Sequence, residues 1–198
     1  MKSFKSKEIL IVLVVLSVVF VLSFFNLRTA LRRARDFQRK DDVNNIAKAV
    51  FLFKEDFGFY PPSASDGRII ACGEAKELPL DANANVKAIT DAYVPCRWGW
   101  DGLADISDSS YAPYLERIPA DPQNFHGASY RYSSTLSNFQ IFASLESSDE
   151  DEYNASIAAS GFICGSRICN YGRASPRVPL DKSLEEYENE IRTINNEQ

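Results

Sequence analysis

The N-terminal part of the chain carries its strongest hydrophobic pattern. From Ile9 to Phe25 the sequence reads ILIVLVVLSVVFVLSFF, an uncharged run in which only Ser17 and Ser23 are polar. At about 1.5 Å of rise per residue, a helix over residues 9–27 is roughly 28 Å long, which matches the hydrocarbon thickness of a bilayer. The run therefore predicts a membrane-spanning helix.

The same helix is predicted to continue far beyond the membrane. Neither Pro nor Gly occurs between Met1 and Phe57, and Gly58, followed shortly by two prolines, then supplies a stop signal. A single helix over residues 8–57 is on the order of 75 Å long. A short segment, residues 1–7, precedes it.

Two apolar stripes follow the membrane run and are separated by the polar residues 38–42, QRKDD. The second stripe has the three- and four-residue spacing of a helix that covers a sheet: Val43, Ile46, Ala47, Val50, Phe53 and Phe57. The first stripe lies just above the membrane: Leu27, Ala30, Leu31, Ala34 and Phe37. It either forms a short stem or contacts other copies of the protein.

Alternating residues in the C-terminal half predict β structure. SYRYSS at 129–134, a turn at 136–138 and FQIFASLE at 139–146 predict an antiparallel hairpin, whose apolar face accepts the second helix stripe. Further strands are predicted within 157–164 and around 167–171. We therefore expect an α+β fold in which a long N-terminal helix packs on a small antiparallel β-sheet.

The remaining segments are predicted to be loops and short helices. The globular part, residues 58–180, includes a variable loop at 61–107 that is rich in Pro, Gly, Asp, Ser and Ala. A short helix is predicted within 108–122. The acidic C-terminal segment, 181–198, is predicted to be an amphipathic helix that docks on its own domain or on a neighbouring subunit.

A capping box marks the start of this C-terminal helix. Ser183 is followed three residues later by Glu186, the spacing at which each side chain bonds the other residue's backbone N–H. An apolar stripe follows at helical spacing: Leu184, Tyr187, Ile191 and Ile194.

The cysteines and the charge limit compartment and partners. All four cysteines follow the hydrophobic run, and an even number on one side of an anchor favours disulfides and an oxidising compartment: Cys72, Cys96, Cys164 and Cys169. Zinc and free thiols are the alternatives. Of the three pairings, Cys72–Cys96 and Cys164–Cys169 join sequence neighbours and are preferred. A net charge of −5 disfavours nucleic-acid binding.

Orientation in the membrane is left open by the residues alone. The exit SFFNLRTALRRA lacks the small residues of a signal-peptide cleavage site, so an uncleaved anchor is predicted. Basic residues after the run outnumber those before it, which places the C-terminal side in the cytoplasm. The cysteines predict the opposite orientation.

Three blocks of the sequence resemble the type IV pilins and the pseudopilins of type II secretion, especially the major pseudopilin G group. The first block is FKSKE, Phe4 to Glu8, followed by the hydrophobic run. The second is ARDFQRKDDVNNIAKAV with FKEDFGFYPP, and the third is PYLERIPADP with YRYSSTLSNFQIFASLE. Residues 61–107 and 165–198 lie outside the resemblance.

The resemblance implies processing and assembly roles for the N-terminus. A prepilin peptidase would cut between Ser3 and Phe4, where the family usually has Gly in place of this serine, and Phe4 would become the methylated N-terminus. Glu8 would neutralise the α-amino group of an adjacent subunit; the alternative places Glu8 at the lipid headgroups beside Lys5 and Lys7. The N-terminus would be cytoplasmic and the domain extracytoplasmic.

The resemblance also implies a function. The chain would be a structural subunit of a type IV pilus or a type II secretion pseudopilus, stored in the membrane and polymerised into a homo-oligomeric helical filament by an inner-membrane assembly platform. The alternative is a single-span anchored extracytoplasmic binding domain that acts alone. An enzyme is disfavoured, because the single His and the absence of a glycine-rich phosphate loop leave no recognisable catalytic motif.

Calcium is the only cofactor that the resemblance implies. Pseudopilin G proteins bind it in a loop of the C-terminal region, and the SSDEDE run at 147–152 carries hard oxygen ligands. Asp149 and Asp151 are the candidate ligands, and a solvated acidic loop is the alternative.

Overall fold

The long helix exists and packs on an antiparallel sheet. The computed structural model describes residues 6–72, 93–105 and 110–196. Helix α1, Ser6–Phe57, has 52 residues and ends where Gly58 adopts a φ of +78° and donates its N–H to the Lys54 carbonyl at 2.7 Å. The predictions of one continuous helix and of an α+β fold are confirmed.

The other elements are short, and most are strands. Their bounds are β1 Ile70–Cys72, β2 Val94–Pro95, β3 Arg131–Ser134, β4 Phe139–Ala143, α2 Ala155–Ala159, β5 Ile163–Cys164, β6 Arg167–Ile168, β7 Tyr171–Ala174 and α3 Leu184–Asn196. The main sheet has three antiparallel strands in the order β3-β4-β7, and two separate ribbons are formed by β1 with β2 and by β5 with β6.

The central strand β4 is buried on both faces. Its residues Phe139 and Ile141 belong to the main core, while Phe142 packs in a second cluster with Ile157 of α2 and with a disulfide. The predicted hairpin pairs β3 with β4 from Arg131↔Phe142 to Ser134↔Phe139 and is confirmed. Burial on both faces explains why every residue of β4 is buried, although its sequence alternates.

The second apolar stripe of α1 covers one face of this sheet, as predicted. Val43, Ile46, Val50 and Phe53 are fully buried. They pack in the main core with residues from the sheet and the preceding loop: Tyr60, Ile69, Tyr132, Phe139 and Ile141. Burying each of these side chains is worth about 1.5–3 kcal/mol, so the stripe supplies much of the attachment between helix and domain.

One of the predicted elements is wrong. Within 110–122 no helix forms; residue Leu115 instead exchanges backbone hydrogen bonds with Leu103, at 2.8 and 3.1 Å. Pro113 interrupts the predicted helix, and Gly102 permits the close approach, since a Cβ there would lie 2.6 Å from the Glu116 carbonyl oxygen.

The strand predicted within 157–164 forms only at its end, as β5 Ile163–Cys164. The segment starts in α2, because Asn154 caps that helix by accepting the N–H groups of Ser156 and Ile157 at 2.9 and 3.2 Å. The third strand of the main sheet is β7, which begins only at Tyr171.

Both disulfides have the predicted connectivity. Cys72–Cys96 joins β1 to the residue that follows β2, and Cys164–Cys169 joins β5 to the residue after β6. Every cysteine in the chain is therefore paired, which is consistent with an oxidising, extracytoplasmic environment.

The C-terminal helix α3 begins with the predicted capping box and then leaves the domain. The Ser183 N–H donates to Glu186 Oε2 at 2.9 Å, and the Glu186 N–H donates to Ser183 Oγ at 3.2 Å. Leu184 is buried, whereas Ile191 and Ile194 are exposed. The helix docks on its own domain through Leu184 and through Glu188, which accepts hydrogen bonds from Thr135 and Asn138, while its C-terminal half is exposed.

Candidate functional site

The first half of α1 has no cover in this structure. Its side chains are exposed from Ile9 to Leu31, in contrast to the buried stripe that begins at Val43. Among the described residues, α1 is the one helix long and apolar enough to cross a membrane. The predicted membrane span is therefore supported by its length, composition and exposure.

The first apolar stripe, here called the stem stripe, points away from the domain. It comprises Leu27, Ala30, Leu31, Ala34 and Phe37. At 100° per residue, the centre of the stem stripe lies roughly 150° around the helix from the stripe that covers the sheet. Leu31 is 50% exposed and Phe37 is 70% exposed. The stem stripe is therefore an apolar surface that the chain's own domain cannot cover.

A buried group of charged side chains, here called the charge cluster, lies between the two halves of α1. Its members are Arg35, Asp36, Arg39, Asp121 and Glu146. Arg39 is 0% exposed and forms a bidentate pair with Asp121, with Nε–Oδ2 and Nη2–Oδ1 distances of 2.8 and 3.0 Å. Its Nη1 also donates to Asp36 and Glu146, at 2.8 Å each.

The cluster attaches the helix to two separate parts of the domain. Arg35 forms a second bidentate pair with Glu146, at 2.7 Å for both bonds. The buried Asp36 carboxylate accepts the backbone N–H groups of Glu146 and Ser147, at 2.8 and 3.1 Å. These bonds hold α1 against the chain after β4, while Asp121 connects it to the turn before β3.

Mutual hydrogen bonds favour the charged forms of Arg35, Arg39 and Glu146. Hydrogen bonds from Arg35 and then Arg39 lower the pKa of Glu146 to about 2, against the opposing effect of burial. Burial alone would lower the pKa of Arg39, but its hydrogen bonds to Asp121 and Glu146 outweigh burial and raise that pKa. The connection between helix and domain is therefore charged at every physiological pH.

One turn further along α1, a second polar contact enters the core. The Tyr130 hydroxyl of the domain donates to Asp42 Oδ2 at 2.5 Å, and both residues are buried. Burial raises the pKa of Asp42 to about 6 and, with the neighbouring Asp42 charge, also raises the pKa of Tyr130. Tyr130 remains a neutral donor while the Asp42 carboxyl titrates in the mildly acidic range.

Sequence reasoning missed the charge cluster, although a signal was present. Residues 38–42 looked like an interruption of the apolar pattern. However, Asp36 and Arg39 continue the spacing of Val43 and Ile46 backwards along the same helix face. Charged residues at core positions of a helix, one turn apart and of opposite sign, indicate a buried ion pair.

The acidic loop is already engaged by a lysine. Lys40 Nζ lies 2.9 Å from carboxylate oxygens of both Glu150 and Glu152, whereas Asp149 and Asp151 are exposed. Among the described residues, no group of three or more His, Cys, Asp and Glu side chains is arranged to hold a metal. These residues do not fit a calcium site in this arrangement, and calcium binding remains a prediction without geometric support.

The residues with predicted processing and assembly roles lie at the start of the chain. Ser3 and Phe4 fall outside the described residues, and Glu8 falls in the first turn of α1. Their roles therefore remain predictions.

Comparisons of the chain with protein-family models, with curated proteins and with solved structures found no match. The interpretation therefore rests on the geometry of this chain. The chain has a long apolar N-terminal helix, and the second half of this helix packs on a disulfide-containing domain with an antiparallel sheet. The architecture is pilin-like. This shape shows the fold alone, and the function has to be argued from the surfaces.

Proposed function

We propose that the chain is a structural subunit of a helical filament of the type IV pilus or type II secretion pseudopilus kind. The observation that carries the proposal is the stem stripe, an exposed apolar surface that faces away from the domain. An apolar surface of this kind on a protein outside lipid marks an interaction site. Packing of stem stripes from several copies would cover it.

The stem stripe distinguishes this proposal from a lone anchored domain. A span over residues 9–27 already fills the hydrocarbon layer, so Phe37 lies ten residues, or about 15 Å, beyond it. Lipid chains therefore cannot cover Phe37, which is 70% exposed. A lone anchor has no use for an aromatic side chain at that position, whereas a bundle of helices does.

The charge cluster supports a mechanical role in the same proposal. A subunit that is pulled from the membrane into a filament transmits force through the junction between its helix and its domain. Arg39 and Asp36 fix that junction by hydrogen bonds to two different segments, and the hydrophobic core continues the attachment above them. Because helix–helix contacts replace helix–lipid contacts, the transfer itself is close to neutral in free energy.

The N-terminal residues complete the proposed assembly. A prepilin peptidase would cleave before Phe4, and Glu8 would pair with the new α-amino group of a neighbouring copy. The N-terminus would be cytoplasmic and the domain extracytoplasmic, in agreement with the two disulfides. The role is structural and not enzymatic in this proposal.

One observation favours the alternative of a single-span binding domain that acts alone. An open, mainly apolar groove of about 540 Å³ lies beside α1 and the edge strand β7. Its volume falls within the range of small-molecule sites, about 300–1,000 Å³. The alternative leaves the stem stripe unexplained, and we therefore rank it second.

The test replaces one residue of the stem stripe and, as a control, one residue on the opposite side of the same helix. Leu31→Gln places an amide in the stripe, whereas Thr29→Gln places the same side chain on the exposed opposite side of the stem. With the full-length protein expressed in its native cells, we expect filaments visible by electron microscopy to disappear in Leu31→Gln and to persist in Thr29→Gln. Equal behaviour of the two variants would remove the support for assembly through this stripe.

A second measurement examines the terminus. The proposal predicts a mature chain that begins at a methylated Phe4, as determined by mass spectrometry of the protein from its native cells. An intact Met1 would favour the lone anchored domain.

A further inference from the structure

Two surfaces of the chain complement each other but do not meet within one copy. One is the groove, lined by Asn44, Ala47, Lys48, Phe51, Leu52, Tyr60, Phe139, Arg173, Ala174, Ser175 and Pro176. The other is the exposed part of α3, which carries an apolar stripe ending at Ile191 and Ile194. No α3 residue lines the groove, so the helix does not fill the groove of its own chain in this structure.

The groove is apolar inside and basic at its rim. Phe51 and Leu52 present their exposed side chains to it, while Lys48 and Arg173 are the charged residues of its lining. The Arg173 guanidinium is fixed in place by donating its Nε–H to Asn44 Oδ1 at 2.7 Å. None of the described residues that line the groove is acidic, so its rim attracts negative charge.

The C-terminal helix has the opposite character. Its 13 residues include four glutamates and one arginine. On a helical wheel, Glu188 and Glu190 flank the apolar stripe of Tyr187, Ile191 and Ile194, one on each side. Glu188 faces its own domain and accepts hydrogen bonds from Thr135 and Asn138, whereas Glu190 is exposed and pairs with Lys182 at 2.7 Å. An amphipathic helix with anchors at such i, i+4 and i+7 positions is the standard occupant of an apolar groove.

We propose that α3 of one copy docks in the groove of a second copy, with its isoleucines against Phe51 and Leu52 and the exposed Glu190 toward Lys48 and Arg173. This inference rests on the proposed function, because it names a contact within the same assembly. The contact joins two different surfaces, so it is heterologous, and repeated heterologous contacts generate open helical polymers.

The charge of the stem makes the stem of a neighbouring copy a poorer occupant of the groove than α3. The stem stripe is also apolar, but the segment around it is strongly basic: Arg28, Arg32, Arg33 and Arg35. Like charges at Lys48 and Arg173 would oppose that docking, whereas the glutamates of α3 favour their own. Of these two exposed apolar helix segments, the groove therefore fits the acidic one.

The experiment maps the contact by photo-crosslinking in the full-length protein in membranes. A benzophenone amino acid replaces Ile191, and 15N-labelled and unlabelled chains are mixed so that mass spectrometry separates contacts between copies from contacts within one. We expect crosslinks between copies to peptides that contain residues 44–52 or 173–176. Crosslinks to the stem, crosslinks only within one chain, or none between copies would overturn the proposal.

Matched variants test the chemistry of the contact in the same assay. We expect Ile194→Asp to reduce the crosslink yield about tenfold, while Thr193→Asp, which adds the same charge beside the stripe, retains it. Lys48→Glu and Glu190→Lys each reduce the yield about two- to fivefold, and the double variant restores it, although Glu190→Lys also breaks the exposed ion pair with Lys182 in its own chain. Glu185→Lys, on the opposite side of α3, serves as the control for charge reversal.

The failure of this proposal is distinguishable from that of the proposed function. Filaments that form and depend on Leu31 support the structural role. If Ile194→Asp changes neither the number of these filaments nor the yield of crosslinks between copies, the docking of α3 is wrong while the structural role stands. If no filament forms, the crosslink between copies in the membrane still decides whether α3 occupies the groove.

Discussion

The two halves of α1 share one continuous helix but have opposite surroundings. Above Arg39 the helix buries Val43, Ile46, Val50 and Phe53 against its own sheet, with each of them at 0% exposure. Below Asp36 its apolar residues are exposed. Helix-forming tendency does not distinguish the halves, since both are fully helical. The difference lies in whether a partner covers the apolar surface, and none of the described residues covers the lower half.

The charge cluster lies at the boundary between these halves, and its position has a physical reason. Buried ion pairs add little net stability, because the loss of hydration offsets the attraction between the charges. They do penalise any other arrangement, since a shifted helix would leave Arg39 or Asp36 buried without partners. The cluster therefore fixes which residue of α1 marks the lower edge of the domain.

The largest predicted effect comes from breaking this cluster. Arg39→Ala leaves the buried carboxylates of Asp36 and Asp121 without the cation that neutralises them, while Glu146 keeps its pair with Arg35. We expect the free energy of unfolding to fall by about 3–5 kcal/mol, as for other buried pairs that lose one partner. Urea unfolding of the full-length protein in detergent micelles measures it.

Arg33→Ala is the matched control for this prediction, because Arg33 is an exposed arginine on the same helix. Its effect should stay within about 0.5 kcal/mol of zero. If both variants lost the same stability, the cluster would contribute nothing specific, and the boundary between the two halves would have to be set by the apolar core alone.

A pair of phenylalanines compares the two halves directly. Phe53→Ala removes a fully buried ring from the main core, and we expect a loss of about 3–5 kcal/mol in unfolding free energy. Phe37→Ala removes an exposed ring and should leave unfolding unchanged, while it reduces the number of filaments in native cells. Loss of stability from Phe37→Ala would show that the stem stripe packs within its own chain.

The sequence predicted those parts of the fold that depend on a regular spacing of apolar residues. The three- and four-residue spacing from Val43 to Phe57 indicated the buried helix face, and alternation over 129–146 indicated the β3–β4 hairpin. The helix predicted within 108–122 failed because its pattern is short. There, the approach of Leu115 to Leu103 decided the conformation, and that contact is not local in sequence.

The candidate site was predictable only in part. The stem stripe and the capping box at Ser183 follow from local spacing. The partners of Arg39 do not, because Asp121 and Glu146 lie 82 and 107 residues away along the chain. A sequence shows that a charge occupies a core position, but the fold determines which opposite charges meet it.

The pH dependence of stability is the next test of the polar contacts at the boundary between the two halves of α1. The native pKa of Asp42 is about 6, above its ordinary value of 3.8, so the native state binds more protons than the unfolded state between these values. Stability therefore falls as pH rises from 4 to 6, by about 1–3 kcal/mol. Glu146 contributes a slope of stability against pH with the opposite sign. Its pKa is lowered from 4.5 to about 2, so its contribution to stability is lost as pH falls through that range.

These two opposing slopes predict maximum stability near pH 4 to 5. Melting temperatures of the full-length protein across pH 2 to 7 measure the curve. Asp42→Asn keeps an oxygen acceptor for the Tyr130 hydroxyl and should flatten the decline between pH 4 and 6. Asp41→Asn removes a neighbouring charge that is a lesser cause of the raised Asp42 pKa, so it should reduce the decline only slightly. A wild-type curve that rises from pH 4 to 6 would contradict the role given to Asp42.

The smallest predicted effect concerns the edge of the boundary, where Lys40 meets the acidic loop. Lys40→Met removes ion pairs to Glu150 and Glu152 that are only partly buried, so we expect a loss of about 0.5–1 kcal/mol at low salt. The loss should shrink in 1 M NaCl, where the screening length falls to about 3 Å. Lys48→Met, which removes a lysine without an ion pair among the described residues, should leave the free energy of unfolding of the single subunit unchanged. A loss at Lys40 as large as that at Arg39, and independent of salt, would place the acidic loop inside the charge cluster instead of beside it.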